Sequence, residues 1–157
     1  MSGDFKPQEL NITELTELLR QNFEAGDGVT LTVTGSSMGP YLKNLRDSVV
    51  LVSPEVRSPK RLDIVLFRRD DGKPVLHRVI GVKPDELTIN GDAQTWCEKI
   101  RPCQVMAVAD GLIRKNRYVS CDSLSYRLYS RLWVSLKPLR PAAIWAYTRL
   151  KGRQAKP

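Results

Sequence analysis

The segment Thr34-Gly35-Ser36-Ser37-Met38-Gly39-Pro40 follows a run of alternating apolar residues and sets Ser36 and Ser37 between two glycines. The glycines relieve crowding in a tight turn and Pro40 fixes its exit, so a serine here can present its hydroxyl, and the N–H groups beside it, to one bound carbonyl. Acyl transfer needs that combination of a nucleophile and oxyanion donors at one point. The same composition also makes ordinary turns, so a second group is required. The chain has a single histidine, His77, inside Val75-Leu76-His77-Arg78-Val79-Ile80. An imidazole of ordinary pKa can accept a serine proton at neutral pH, although a histidine within a strand can equally be structural.

These groups need elements to carry them. From Asn11 to Ala25 the residues Ile12, Leu15, Leu18, Leu19 and Phe23 recur at helical spacing, with Asn11 as N-cap, Glu14 three residues on and Gly26 as the stop. Val29, Leu31 and Val33 then alternate with threonines, predicting a half-buried strand that delivers Ser37. Further strands are predicted at Ser48 to Ser53, Leu62 to Phe67, Pro74 to Val82, Glu86 to Ile89, Gln104 to Ala109 and Tyr118 to Cys121, with turns at Ser53-Pro54, Asp70-Asp71-Gly72, Lys83-Pro84-Asp85 and Asn90-Gly91. Short strands with tight connections and one clear helix imply a mainly β fold, a small coiled antiparallel sheet or partly open barrel. Beyond Asp122 the pattern is helical again: Leu124, Leu128, Leu132 and Leu136 form one stripe, with Arg127 and Arg131 beside it. Pro138 and Pro141 interrupt before a second segment, Ala142 to Leu150. These helices have the composition of an interfacial anchor, and equally of a helical hairpin packed on the sheet.

With 157 residues, 41% apolar and 27% charged, the chain can bury one core. It has no apolar run long enough for a membrane span, and Met1 to Leu10, with Asp4 and Glu9, is expected to be neither a secretory signal nor an anchor. Cys97, Cys103 and Cys121 are an odd set without CxxC spacing, which fits free thiols better than disulfides or zinc. The net charge of +8 is unevenly spread: residues 114–157 carry eleven Lys or Arg against one Asp, whereas residues 1–113 carry 14 against 16 acids. A near-neutral body with a basic extension points to an anionic partner for the extension, the alternative being a merely solvated basic surface.

Gly35-x-Ser37-Met38-x-Pro40, Leu62-Asp63-Ile64-Val65-Leu66-Phe67, Leu76-His77-Arg78-Val79-Ile80 and Gly91-Asp92, in that order, resemble the box set of the type I signal peptidases and self-cleaving repressor peptidases. The resemblance implies Ser37 as nucleophile and His77 as base, in the manner of the endoplasmic-reticulum branch, whose base is histidine rather than lysine. Lys73 and Lys83 lie outside the box. Asp92 is the acid expected to orient His77 by triad logic, Glu98 is the rival, and Asp47 and Asp63 sit in boxes that can be structural. Ser36, Met38 and Pro40 are implied to line the substrate cleft. Two positions depart from the family pattern. Leu62 stands where a glycine is usual, which implies an altered turn, and Gly35 stands where some members carry an oxyanion serine, which leaves that work to the backbone N–H of Ser37. The residues before the first strand offer one helix, too little for a helix-turn-helix, and the 40 positions between Ser37 and His77 leave no room for a large inserted domain.

The expectation is therefore a serine endopeptidase that cleaves leader or signal-like peptides. Its organisation would be an N-terminal helix (1–28), a catalytic domain (29–122) and a basic amphipathic extension (123–157). No metal or organic cofactor is implied. The partners expected are a peptide or preprotein substrate and an anionic membrane surface met by 123–157, in the cytoplasm or at the membrane periphery; nucleic acid fits poorly because aromatic residues mixed with leucine suit lipid better. The alternative is a non-catalytic peptide-binding or membrane-associated module on the same fold.

Overall fold

Asn11 opens the first helix, α1 (Ile12–Glu24), with a complete capping box: its side chain accepts from the Glu14 N–H and the Glu14 carboxylate accepts from the Asn11 N–H. The computed structural model describes residues 11–142, 145, 146 and 149. The expectations for Met1 to Leu10, for part of the Ala142 to Leu150 segment and for the end of the 123–157 extension lie outside the described residues. Leu15 and Leu19 are buried, so the helix covers the core with the face its spacing predicts.

Eight strands follow: β1 (Val29–Thr32), β2 (Ser48–Val52), β3 (Ile64–Arg68), β4 (Pro74–Lys83), β5 (Glu86–Asn90), β6 (Glu98–Ile100), β7 (Val105–Arg114) and β8 (Arg117–Ser120). They form one antiparallel sheet in the order β1-β2-β7-β3-β4-β5-β6, with β8 paired to β7. The sheet is not closed: β1 and β6 end it on opposite sides. The fold is thus mainly β with helical parts at both ends, the open antiparallel sheet that the short strands predict.

Most strand ends fall within one or two residues of the sequence reading, and the larger differences are two boundaries and one added strand. β1 ends at Thr32 rather than running to Thr34, β7 continues past Ala109 to Arg114, and β6, too short and charged to show a period, was not foreseen. Register shifts at Val50/Leu51, Leu66/Phe67 and Val79/Gly81 bend the strands, and the core divides accordingly. Ile64 and Leu66 join α1, Met38 and Leu42 in one cluster, while Val65 and Phe67 join Val79, Leu87 and Ile89 in another. β3 is buried on both faces.

Leu62 takes φ 83°, the left-handed region that glycine enters without penalty. The departure from the family pattern therefore appears as strain carried by a leucine, and strand β3 still begins two residues later. Its N–H donates to Val79 O at 2.8 Å and its carbonyl accepts from Arg78 Nη1 at 2.9 Å, which hold the turn against β4.

The last described long element is α2 (Leu124–Ser135), followed by a 3-10 turn at Lys137–Leu139 where Pro138 interrupts. Its buried residues are Tyr126 and Ser130, whereas Leu124, Leu128, Leu132 and Leu136 are exposed. The helix does pack on the domain, but with the face opposite the leucine stripe.

Candidate active site

Alternation along β4 sends His77 and Arg78 to opposite faces of the sheet. His77 pairs across the ladder with Val65, packs 6.1 Å from the Phe67 ring and is only 2% exposed. Its Nδ1 lies 3.4 Å from Glu98 Oε1, without meeting hydrogen-bond geometry. Arg69 holds Glu98 in turn, Nε to Oε2 at 2.6 Å and Nη2 to Oε1, and keeps its carboxyl below the usual carboxylate range. Burial pushes the His77 pKa below its ordinary 6.5; the charge of Glu98 opposes this shift, and that of Arg69 adds to it. The imidazole is thus held neutral, with a carboxylate at Nδ1 and Nε2 directed elsewhere.

Nε2 lies against Gly91. A Cβ at that position would stand 3.0 Å from His77 Nε2 and 2.6 Å from Gln94 Oε1, so any larger residue would push the Gln94 side chain aside and crowd the imidazole. Gln94 Oε1 is buried without a hydrogen-bond partner among the described residues. Two residues on, the Ala93 N–H donates to the Ser37 carbonyl at 2.8 Å. Ser37 and His77 therefore lean on one short turn, Gly91-Asp92-Ala93.

The serine turn is closed by its own backbone. Gly39 N–H donates to Ser36 O at 3.0 Å, Leu42 N–H to Met38 O at 3.1 Å, and Gly35, at φ 83°, donates its N–H to Asn44 Oδ1 at 2.9 Å. Ser37 is half-buried and Ser36 exposed. Among the described residues neither the hydroxyl nor the N–H of Ser37 has a hydrogen-bond partner, and no hydrogen bond joins Ser37 to His77. Met38 is 1% exposed as a whole residue and belongs to the core, so it does not line an open cleft; Pro40, after a cis peptide bond, is half-buried.

Asp92 does not engage His77. Both its carboxylate oxygens are taken by Arg78, Nε at 2.8 Å and Nη2 at 2.7 Å, in a pair that is almost fully buried. Arg78 Nη1 donates further to Tyr126 Oη at 3.0 Å and Ser130 Oγ at 2.9 Å, and Trp133 Nε1 donates to the Asp92 carbonyl at 3.0 Å. The buried guanidinium is thereby satisfied, as a charge removed from water must be. The acid at Nδ1 is the rival, Glu98. Asp47 is engaged by Arg46 and by the Lys43 and Lys115 N–H groups, and Asp63 by Arg57 and the Lys60 N–H. Lys73 and Lys83 are exposed, facing Asp71 and Glu86.

Sequence reasoning missed Arg69, Gln94 and the grip of α2 on Arg78. One signal was present: Arg78 interrupts an apolar strand, and a charge in that position demands buried acceptors. Among the described residues no group of three or more His, Cys, Asp or Glu is placed to share a metal ion, and the cysteines are free. A cleft of about 620 Å³ opens elsewhere, beside Arg57, Lys60, Asp63 and Cys121, and includes neither Ser37 nor His77.

Fold and site define a small open-sheet protein that sets a turn serine and a buried neutral histidine against one glycine-containing turn. The family model for signal peptidase, peptidase S26, matches residues 28–100, a span that holds Ser37, His77, Asp92 and Glu98. Over that span, a little under half of the chain, the protein is similar to the signal peptidase family. Comparison with curated proteins and with solved structures gave no match.

Proposed function

We propose that the protein is a serine endopeptidase of the Ser-His type, acting on leader or signal-like peptides. Ser37 Oγ attacks the scissile carbonyl while His77 Nε2 takes its proton; the imidazolium then gives that proton to the leaving amine, and an acyl-enzyme ester remains on Ser37. Water, deprotonated by the same nitrogen, hydrolyses the ester and restores the serine. The Ser37 N–H, which has no partner among the described residues, is the donor for the oxyanion. Glu98 is a positioning residue: a carboxylate at Nδ1 keeps the proton there, leaves the Nε2 lone pair free and stabilises the imidazolium when it forms. Asp92, committed to Arg78, holds the turn on which Ser37 and His77 both lean. Ser36 and Pro40 flank the peptide, and Met38 anchors the serine turn in the core.

The observation that carries this reading is the divided environment of the single histidine, with Glu98 at Nδ1 and, at Nε2, the turn that also binds the Ser37 carbonyl. Labelling with a serine-reactive fluorophosphonate tests it. The parent protein should label and cleave peptide, and Ser37→Ala and His77→Ala should each lose about 10⁴ to 10⁶ in rate, with the double variant little worse because the two act as a unit. Full activity in His77→Ala would remove the assigned base. Failure of the parent to label would favour a peptide-binding module on the same fold.

A further inference from the structure

Helix α2 has two unlike faces. The inner one is bolted to the site turn: Tyr126 and Ser130 accept from Arg78, Trp133 donates to the Asp92 carbonyl, and Arg140, fully buried, donates to the Trp133 carbonyl and to Asn90. The outer one is a leucine stripe open to solvent. Leu124, Leu128, Leu132 and Leu136 follow one another at four-residue steps, and these, with Leu139 beyond them, are between 44% and 84% exposed. A scattered exposed leucine is ordinary, but a continuous stripe on one helix marks a surface that meets something apolar.

The charge beside the stripe narrows what that is. Arg127 and Arg131 are exposed next to the leucines, and residues 114–157 hold eleven basic side chains against Asp122 alone. A second copy of the helix laid on the first would bring these arginines against their equivalents, a like-charge arrangement that opposes self-association. A bilayer with anionic headgroups satisfies both requirements, apolar depth for the leucines and phosphates for the arginines. Spanning is not the geometry: the helix has 12 residues, about 18 Å at 1.5 Å per residue. No helix among the described residues is long and apolar enough to cross a membrane.

We infer that the outer face of α2 is a membrane-docking surface, lying in the plane of an anionic bilayer with Leu128 and Leu132 inserted and Arg127 and Arg131 at the phosphates. The inner face then fixes the height and orientation of the Gly91-Asp92-Ala93 turn over the lipid. Docking is read without any substrate, so it stands or falls separately from the peptidase reading.

Co-sedimentation of the full chain with phosphatidylglycerol-containing vesicles and with pure phosphatidylcholine vesicles, at low and high salt, tests it. Binding should favour the anionic vesicles by about tenfold or more and weaken with salt, while insertion of the leucines leaves a salt-resistant part. Leu128→Glu with Leu132→Glu should abolish the salt-resistant part while the melting temperature stays at the parent value, because both side chains face solvent. Arg127→Gln with Arg131→Gln should reduce the preference for anionic lipid. No binding to anionic vesicles, or equal binding by the glutamate variant, would overturn the inference; a dimer in solution that the glutamate variant dissolves would assign the stripe to a second copy instead.

Discussion

At the scale of single residues, the division of labour between two carboxylates is decided by which cation each one meets. Asp92 neutralises a guanidinium with no access to water, so Asp92→Asn leaves Arg78 with an uncompensated buried charge and should cost about 3–5 kcal/mol of stability, seen as a lower denaturant midpoint. Glu98 and Arg69 are partly exposed, and Arg69 can turn to solvent when its partner is neutralised. Glu98→Gln should therefore cost less than about 1 kcal/mol of stability while slowing turnover, and the opposite pattern would assign the orienting role to Asp92. The pH profile carries a second test. A histidine base of ordinary pKa would place the acid limb near 6 to 7.5, but burial lowers His77, so kcat/KM should rise with pH through a midpoint below about 6.5 and be flat at neutral pH. The same shift affects stability. The folded state resists protonating His77, so its contribution is complete above the unfolded pKa near 6.5 and is lost as pH falls through the lower folded value.

At the scale of elements, the turn into β3 is built on a leucine in a glycine conformation. A left-handed non-glycine residue costs about 1–2 kcal/mol, whereas introducing glycine costs about 0.5–1 kcal/mol through the freedom of the unfolded chain. Leu62→Gly should therefore be neutral or stabilising by up to about 1 kcal/mol in denaturant unfolding. Leu62→Ala keeps the strain, loses side-chain contacts and should not stabilise. Strand β4 shows the other way an element serves the site: its alternation separates His77 from Arg78, so one strand supplies the base to one face and the anchor of the supporting turn to the other.

At the scale of the whole molecule, the C-terminal helix is part of the site's support. Removing residues after Cys121 would take away Tyr126 and Ser130 from Arg78 and Trp133 from the Asp92 carbonyl, exposing the first core cluster at Tyr126. Losing charge-assisted bonds of about 1.5–3 kcal/mol each, at about 2–4 °C per kcal/mol, should lower the melting temperature by roughly 6 °C or more. A truncated chain that melts with the parent would mean that α2 contributes no support.

Much of this architecture was legible in the chain because it rests on short-range rules. The capping box of α1, the alternation of β1, the short apolar runs of β2 to β5 and the glycines around Ser37 act over a few residues, and the only histidine, beside an arginine in an apolar strand, marked the candidate site. Tertiary structure decided which acid faces Nδ1 and which side of α2 turns inward. The first depends on pairing across β3, β4, β5 and β6, with shifts at Leu66/Phe67 and Val79/Gly81 that leave no periodic trace, and on Arg69 reaching Glu98 across 29 positions. The second reversed what apolarity alone predicts for a packed helix. A buried Arg78 needs hydroxyl acceptors, and the Tyr126 and Ser130 that supply them lie 48 and 52 residues away, so satisfying a desolvated charge outweighed burying the leucines.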